Sequence, residues 1–203
     1  MTAQILIAVA SVIALFALAT GIRRIASRFV IGAESQRKAV HVGVGIHAML
    51  LPLLLNREGF LVFAGLAAAA LLVLRMPGVA SDGIGASLHS VQRRSWGDFL
   101  FLVAVTLLFV LSAGHPALYT LPIAVLTLSD AAAALVGTKY GQLRFGGDDR
   151  IKSVEGSVTF LVVTWIVAVV ILQLGTGIPR ANVIWIATLV ALFATYVEAD
   201  SWR

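Results

Sequence analysis

Cysteine is absent from the 203-residue chain. That excludes a disulfide framework and any thiolate metal site. Charge is almost as scarce. Only 12% of the residues are charged, against about 25% in an ordinary soluble domain. The 60% that are hydrophobic fall into long runs, and together these features put the chain in the membrane class. No soluble domain, low-complexity tail or fixed-period repeat is visible. The first apolar run, Ile5 to Thr20, has no positive side chain before it, and Arg23, Arg24 and Arg28 come after it. A cleavable signal carries its charge in front, so this run is expected to be a retained helix. The net charge of +5 does not point to nucleic acid, because the basic residues sit in short loops between apolar runs, as topology signals do.

Seven apolar runs can be drawn, at about 4–21, 39–55, 60–74, 99–113, 117–137, 158–174 and 181–197. They predict an all-α, polytopic transmembrane bundle of about seven helices, forming a single integral membrane domain over 1–203. Arg23, Arg24, Arg28, Arg37 and Lys38 follow the first run, Arg75, Arg93 and Arg94 the third, and Lys139, Arg144, Arg150 and Lys152 the fifth. Arg203 adds to that side, and only Arg57 and Arg180 lie on the other. The positive-inside rule then puts these loops and the C-terminus in the cytoplasm and the N-terminus outside. The expected location is a multi-pass protein of a bacterial or archaeal cytoplasmic membrane. Oligomeric state is left open.

An ionisable group inside an apolar helix is costly and marks a candidate site. Asp130 lies in the middle of the fifth run, with Gly137 seven residues on and on the same face. A glycine-rich basic loop follows, with Lys139, Gly141, Gly146 and Gly147, and then Lys152, Ser153, Glu155 and Gly156 open the next run. A Walker phosphate loop needs glycine just before Lys-Ser, and here Ile151 stands there. Glycines, cations and hydroxyls at a helix N-terminus can still hold phosphates. Ser153 is expected to be the N-cap, with Glu155 at N2 and Gly156 at N3. Lys152, Glu155 and Thr159 are spaced to share one helix face. Asp130 and Glu155 could bridge Mg²⁺, which takes one or two carboxylates plus water and phosphate oxygens.

Three further clusters are weaker. Arg37, His41 and Gly45 share a face at the start of the second run. Arg94, Gly97 and Asp98 precede the fourth, where Ser95 could cap a helix with Asp98 at N3. Glu198 and Asp200 close the last run. His47 reads as structural, and His115, in a loop on the opposite side, as irrelevant to the site.

Taken together, Arg37-Lys38-x-x-His41, Arg94 with Gly97-Asp98, Ser129-Asp130 with Ala133, Gly137 and Gly141, Lys152-Ser153 with Glu155-Gly156-Ser157, and Val197-Glu198-Ala199 resemble the polyprenol/dolichol/phytol kinase family. These are CTP-dependent membrane kinases of lipid alcohols, related to the phosphatidate cytidylyltransferases. The resemblance covers most of the chain from about residue 37. It implies transfer of the terminal phosphoryl group of CTP to the hydroxyl of an isoprenoid or similar lipid alcohol at the cytoplasmic face. Asp130 and Glu155 would bind Mg²⁺. Arg37, Lys38, Gly137, Lys139, Gly141, Lys152, Ser153 and Gly156 would hold the nucleotide, and His41 or Asp130 would orient or deprotonate the alcohol. Arg94, Asp98 and Glu198 are additional candidates. The family pattern continues past Glu198 with an Asp-Asn segment, so the chain is expected to be short or truncated at its end. Two rival readings remain: CMP transfer by a cytidylyltransferase-like enzyme, and a small ion- or proton-coupled transporter using Asp130.

Overall fold

The computed structural model describes residues 1–29, 32–75, 96–146 and 152–200, apart from the side chains of Ala33 and Glu34. Arg94, Ser95, the segment 77–90 and the loop residues 147–151 lie outside the described residues, as do the last three residues.

Every apolar run becomes a helix. The first four are α1 (Thr2–Arg28), α2 (Ala33–Leu54), α3 (Arg57–Val73) and α4 (Gly97–Leu111). The fifth run is a composite rod: α5 (Pro116–Ala124), a π-helical turn (Val125–Ser129) and α6 (Asp130–Tyr140). Two short strands, β1 (Arg144–Phe145) and β2 (Lys152–Ser153), precede α7 (Val154–Gly175) and α8 (Arg180–Asp200). Several helices outrun the apolar residues that predict them. α2 and α7 begin earlier and α1, α6 and α8 end later, because polar residues serve well as helix ends. Four rods are long and apolar enough to cross a membrane: α1, the composite rod 116–140, α7 and α8. With 17 and 15 residues, α3 and α4 extend about 22–25 Å, short of a hydrocarbon core of about 30 Å.

Contacts gather into two compact units, Met1–Gly114 and His115–Arg203. In the first unit α1 packs on α2 and α3, and α3 packs on α4. Gly43 lets α1 close on α2: a Cβ there would fall 2.9 Å from a methyl of Leu18. Asn56 caps α3 by accepting from the Gly59 amide at 2.9 Å, and its own amide donates to the Gln4 side chain at 3.0 Å. Phe60 stacks on Phe109 at 3.7 Å between ring centres, tying α3 to α4. α4 starts with Trp96 at the N-cap position. This corrects the expected Ser95 cap and moves Asp98 from N3 to N2.

In the second unit α7 is the hub, packed on α8, α6, α5 and the π turn. Ala168, Val183 and Ala187 are fully buried. Small residues at such seams let helix backbones approach closely where no water drives association.

Candidate active site

The polar residues of α6, the β hairpin, α7 and α8 meet at one end of the second unit. The chain arranges this with glycine. α6 and the residues flanking it turn Ser129, Ala133, Gly137 and Gly141 towards α7 at steps of four, one face of a helix. A Cβ on Gly137 would lie 2.9 Å from Ser153 Oγ, and one on Gly156 would lie 3.0 Å from the Ala133 carbonyl oxygen and 3.4 Å from Gly137 Cα. A Cβ on Gly141 would lie 2.7 Å from Ser153 Cβ. Three glycines thus enclose the Ser153 side chain, which is buried. Ser153 caps α7 as expected: its Oγ accepts from the Gly156 amide at 3.1 Å.

The hairpin has no counterpart in the sequence pattern. β1 and β2 pair antiparallel, Arg144 opposite Ser153 and Phe145 opposite Lys152. The Val154 amide extends the ladder by donating to the Leu143 carbonyl at 2.9 Å. Lys152 therefore lies on a strand, before α7 begins, so the expected helical face shared by Lys152, Glu155 and Thr159 does not form. Lys152 turns to α8 instead. Its Nζ donates to Glu198 Oε1 at 2.6 Å and to the Glu198 carbonyl oxygen. With the side chains only 18% and 22% exposed, this is a largely desolvated ion pair, and it joins Lys152 to one of the more weakly signalled residues of the sequence.

Glu155 reaches back to the end of α6. Its Oε1 accepts from the Gln142 amide at 3.1 Å and the Leu143 amide at 3.3 Å. Its Oε2 is buried without a hydrogen-bond partner among the described residues. A buried carboxylate oxygen with no donor costs free energy unless something cationic meets it. That suits a magnesium ligand, the other positions being filled by water and phosphate oxygens. Among the described residues no cluster of three or more His, Asp or Glu side chains could hold a metal unaided. Lys139 is exposed in the last turn of α6, its Nζ 5.1 Å from the Tyr140 ring.

Asp130 stands elsewhere on the same helix pair. Ser129 meets Thr164 on α7 at 2.9 Å, while Gly137 meets Gly156, so α6 and α7 run antiparallel. From Asp130 to Tyr140 is ten residue steps along α6, about 15 Å along the axis. Glu155 binds beyond Tyr140, and a helical side chain leans towards its own N-terminus, which tips Asp130 further away. The structure therefore does not bring Asp130 and Glu155 onto one ion, whose ligands must lie about 2.1 Å from it.

The remaining candidates belong to the first unit. Arg37 is exposed on α2, and Lys38 is buried with 6% of its surface accessible. His41 lies one turn further along α2, edge-on to Phe101 of α4 at 6.1 Å. Asp98 is exposed at the start of α4.

Sequence reading misses the π turn and the Ser129–Thr164 pair. Pro122, which removes a rung from the helical ladder, stands three residues before the turn and is the one local sign of it.

No family profile matches the chain, and no solved structure matches it. Among curated proteins it is similar to a phytol kinase of Synechocystis sp., 33% identical over 174 residues, covering 83% of this chain and 71% of that protein.

Proposed function

Since this chain belongs to the polyprenol/dolichol/phytol kinase family and is a lipid alcohol kinase, we propose that it transfers the terminal phosphoryl group of CTP to the hydroxyl of an isoprenoid alcohol of the phytol or polyprenol type, at the cytoplasmic membrane face. The carrying observation is the likeness to phytol kinase over most of the chain. It favours a kinase over both a cytidylyltransferase and a transporter.

In the reaction the alcohol oxygen bonds to the terminal phosphorus, the bridging P–O bond to CDP breaks, and the hydroxyl proton leaves to a base. Such a step needs little covalent chemistry from the protein. It needs positioning and neutralisation of spread negative charge. Lys139 and Lys152 supply charge at the loop end, beside the N-terminus of α7, where Gly137, Gly141, Ser153 and Gly156 hold α6 and α7 close. Glu155, with its buried Oε2 unpartnered among the described residues, would hold Mg²⁺. Bound magnesium would neutralise phosphate charge during transfer.

On this reading the separation of Asp130 from this end orients the nucleotide. The cytidine lies outward at the loop and the terminal phosphate points inward, towards Asp130. A lipid alcohol enters from the bilayer, and Asp130 would orient its hydroxyl or take its proton. The positive loops support a cytoplasmic placement of the nucleotide end.

The test is purified protein with phytol and CTP labelled separately in the terminal phosphate and in the cytidine, with ATP as the competing donor. Terminal phosphate in the lipid supports the proposal. Cytidine in the lipid, or faster transfer from ATP, overturns it.

A further inference from the structure

The alcohol-kinase reading leaves Thr164 without a role, yet Thr164 is completely buried in the middle of α7. Its Oγ1 donates to Ser129 Oγ at 2.9 Å, and Ser129 is completely buried too. Ser129 ends the π turn, and Asp130 is the next residue. Resting on that reading, we propose that Thr164 is the positioning residue for Asp130, acting through Ser129 and the π turn.

Ala133, Gly137 and Gly156 bring the backbones close, but they offer no side-chain donor or acceptor that selects one rotational setting. The hydroxyl pair does. It also falls where rotation matters most. A π turn carries an extra residue, and turns of this kind recur at functional sites. If the extra residue were absorbed into regular helix, every residue after it would swing by about 100° around the axis. Asp130 is the first residue to feel that swing. Whatever holds the π turn therefore decides the direction in which the Asp130 carboxylate leaves the helix. Without Thr164, the Ser129 hydroxyl would be left to the carbonyls of its own helix, a competition that bends helices.

Thr164→Val keeps the shape of the side chain and removes the donor, Thr164→Ser keeps the donor, and Ser129→Ala removes the acceptor. Each is compared with wild type for kcat, nucleotide KM and thermal stability, with phytol and CTP as substrates. T164V is expected to lose tenfold or more in kcat, with nucleotide KM within twofold and unchanged folding, and T164S to remain near wild type. S129A is expected to show the same loss, and the double variant no greater one, because both changes remove a single contact. Wild-type kcat in T164V, or losses that multiply in the double variant, overturns the proposal. Should T164V not fold, S129A decides by the same criteria. A second readout does not need activity: the rate at which dicyclohexylcarbodiimide labels Asp130, followed by mass spectrometry. The rate is expected to change in T164V and not in T164S, and equal rates in all three overturn the proposal. An inactive wild type would sink the reading that phytol and CTP are the substrates, while the labelling would still decide whether Thr164 acts on Asp130.

Discussion

Lys152, on the strand before α7, is bound 2.6 Å from Glu198 near the end of α8, so a residue expected to hold phosphate also fastens two helices. Breaking a desolvated pair leaves the other charge uncompensated. Partial exposure reduces the penalty. K152A and E198A are each expected to lower stability by about 1–3 kcal/mol, and the double variant by less than the sum. Thermal melts in detergent check this. K152A should also raise the nucleotide KM, whereas E198A should do so only as far as it frees Lys152.

Asp130→Asn keeps the shape and removes the carboxylate charge. Turnover is expected to fall by about 10²-fold or more, with expression and membrane insertion unchanged. Phosphorylation of phytol at the wild-type rate would remove Asp130 from the mechanism.

The glycine crossing gives a test of packing. G156A and G141A each force a Cβ against a neighbour, at 3.0 Å from the Ala133 carbonyl oxygen and 2.7 Å from Ser153 Cβ. Overpacking of this kind costs about 1–3 kcal/mol, and both variants should melt lower. G65A is the contrast. Nothing lies within 4 Å of its added Cβ, Gly65 is inside α3, and the change should stabilise by about 0.5–1 kcal/mol.

Glu155→Gln tests the magnesium assignment. The neutral amide can still reach the loop amides through its oxygen but binds a divalent cation poorly. The Mg²⁺ concentration for half-maximal activity should rise several-fold, with little change in melting temperature. Chelation should abolish wild-type activity reversibly. An unchanged Mg²⁺ dependence in the variant would exclude Glu155 as a ligand.

The helices are readable because each is a long apolar run, and hydropathy alone locates them. The Ser153 cap is readable because a hydroxyl three residues before Gly156 has a local consequence. The π turn is not, since its five residues, Val125 to Ser129, are as apolar as ordinary helix. Lys152 is misplaced for a related reason: helical spacing counts residues without knowing where a helix starts, and a two-residue strand leaves no periodic signal. The partner of Thr164 is hidden too, because a contact across thirty-five residues has no trace in local pattern. The stripe Ser129, Ala133, Gly137, Gly141 is visible, and reading it as a packing face would have brought α7 to the right side of Asp130.

The enclosure of Ser153 by three glycines bears on how this protein can vary. The hydroxyl fills the last of the room between α6 and α7, so a bulkier side chain at 153 and a methyl at 137, 141 or 156 are competing uses of the same volume. Homologues in which any of these four positions has grown should show a compensating reduction at another, or helices set wider apart. The four should change as a group, even though they come from two separate stretches of chain.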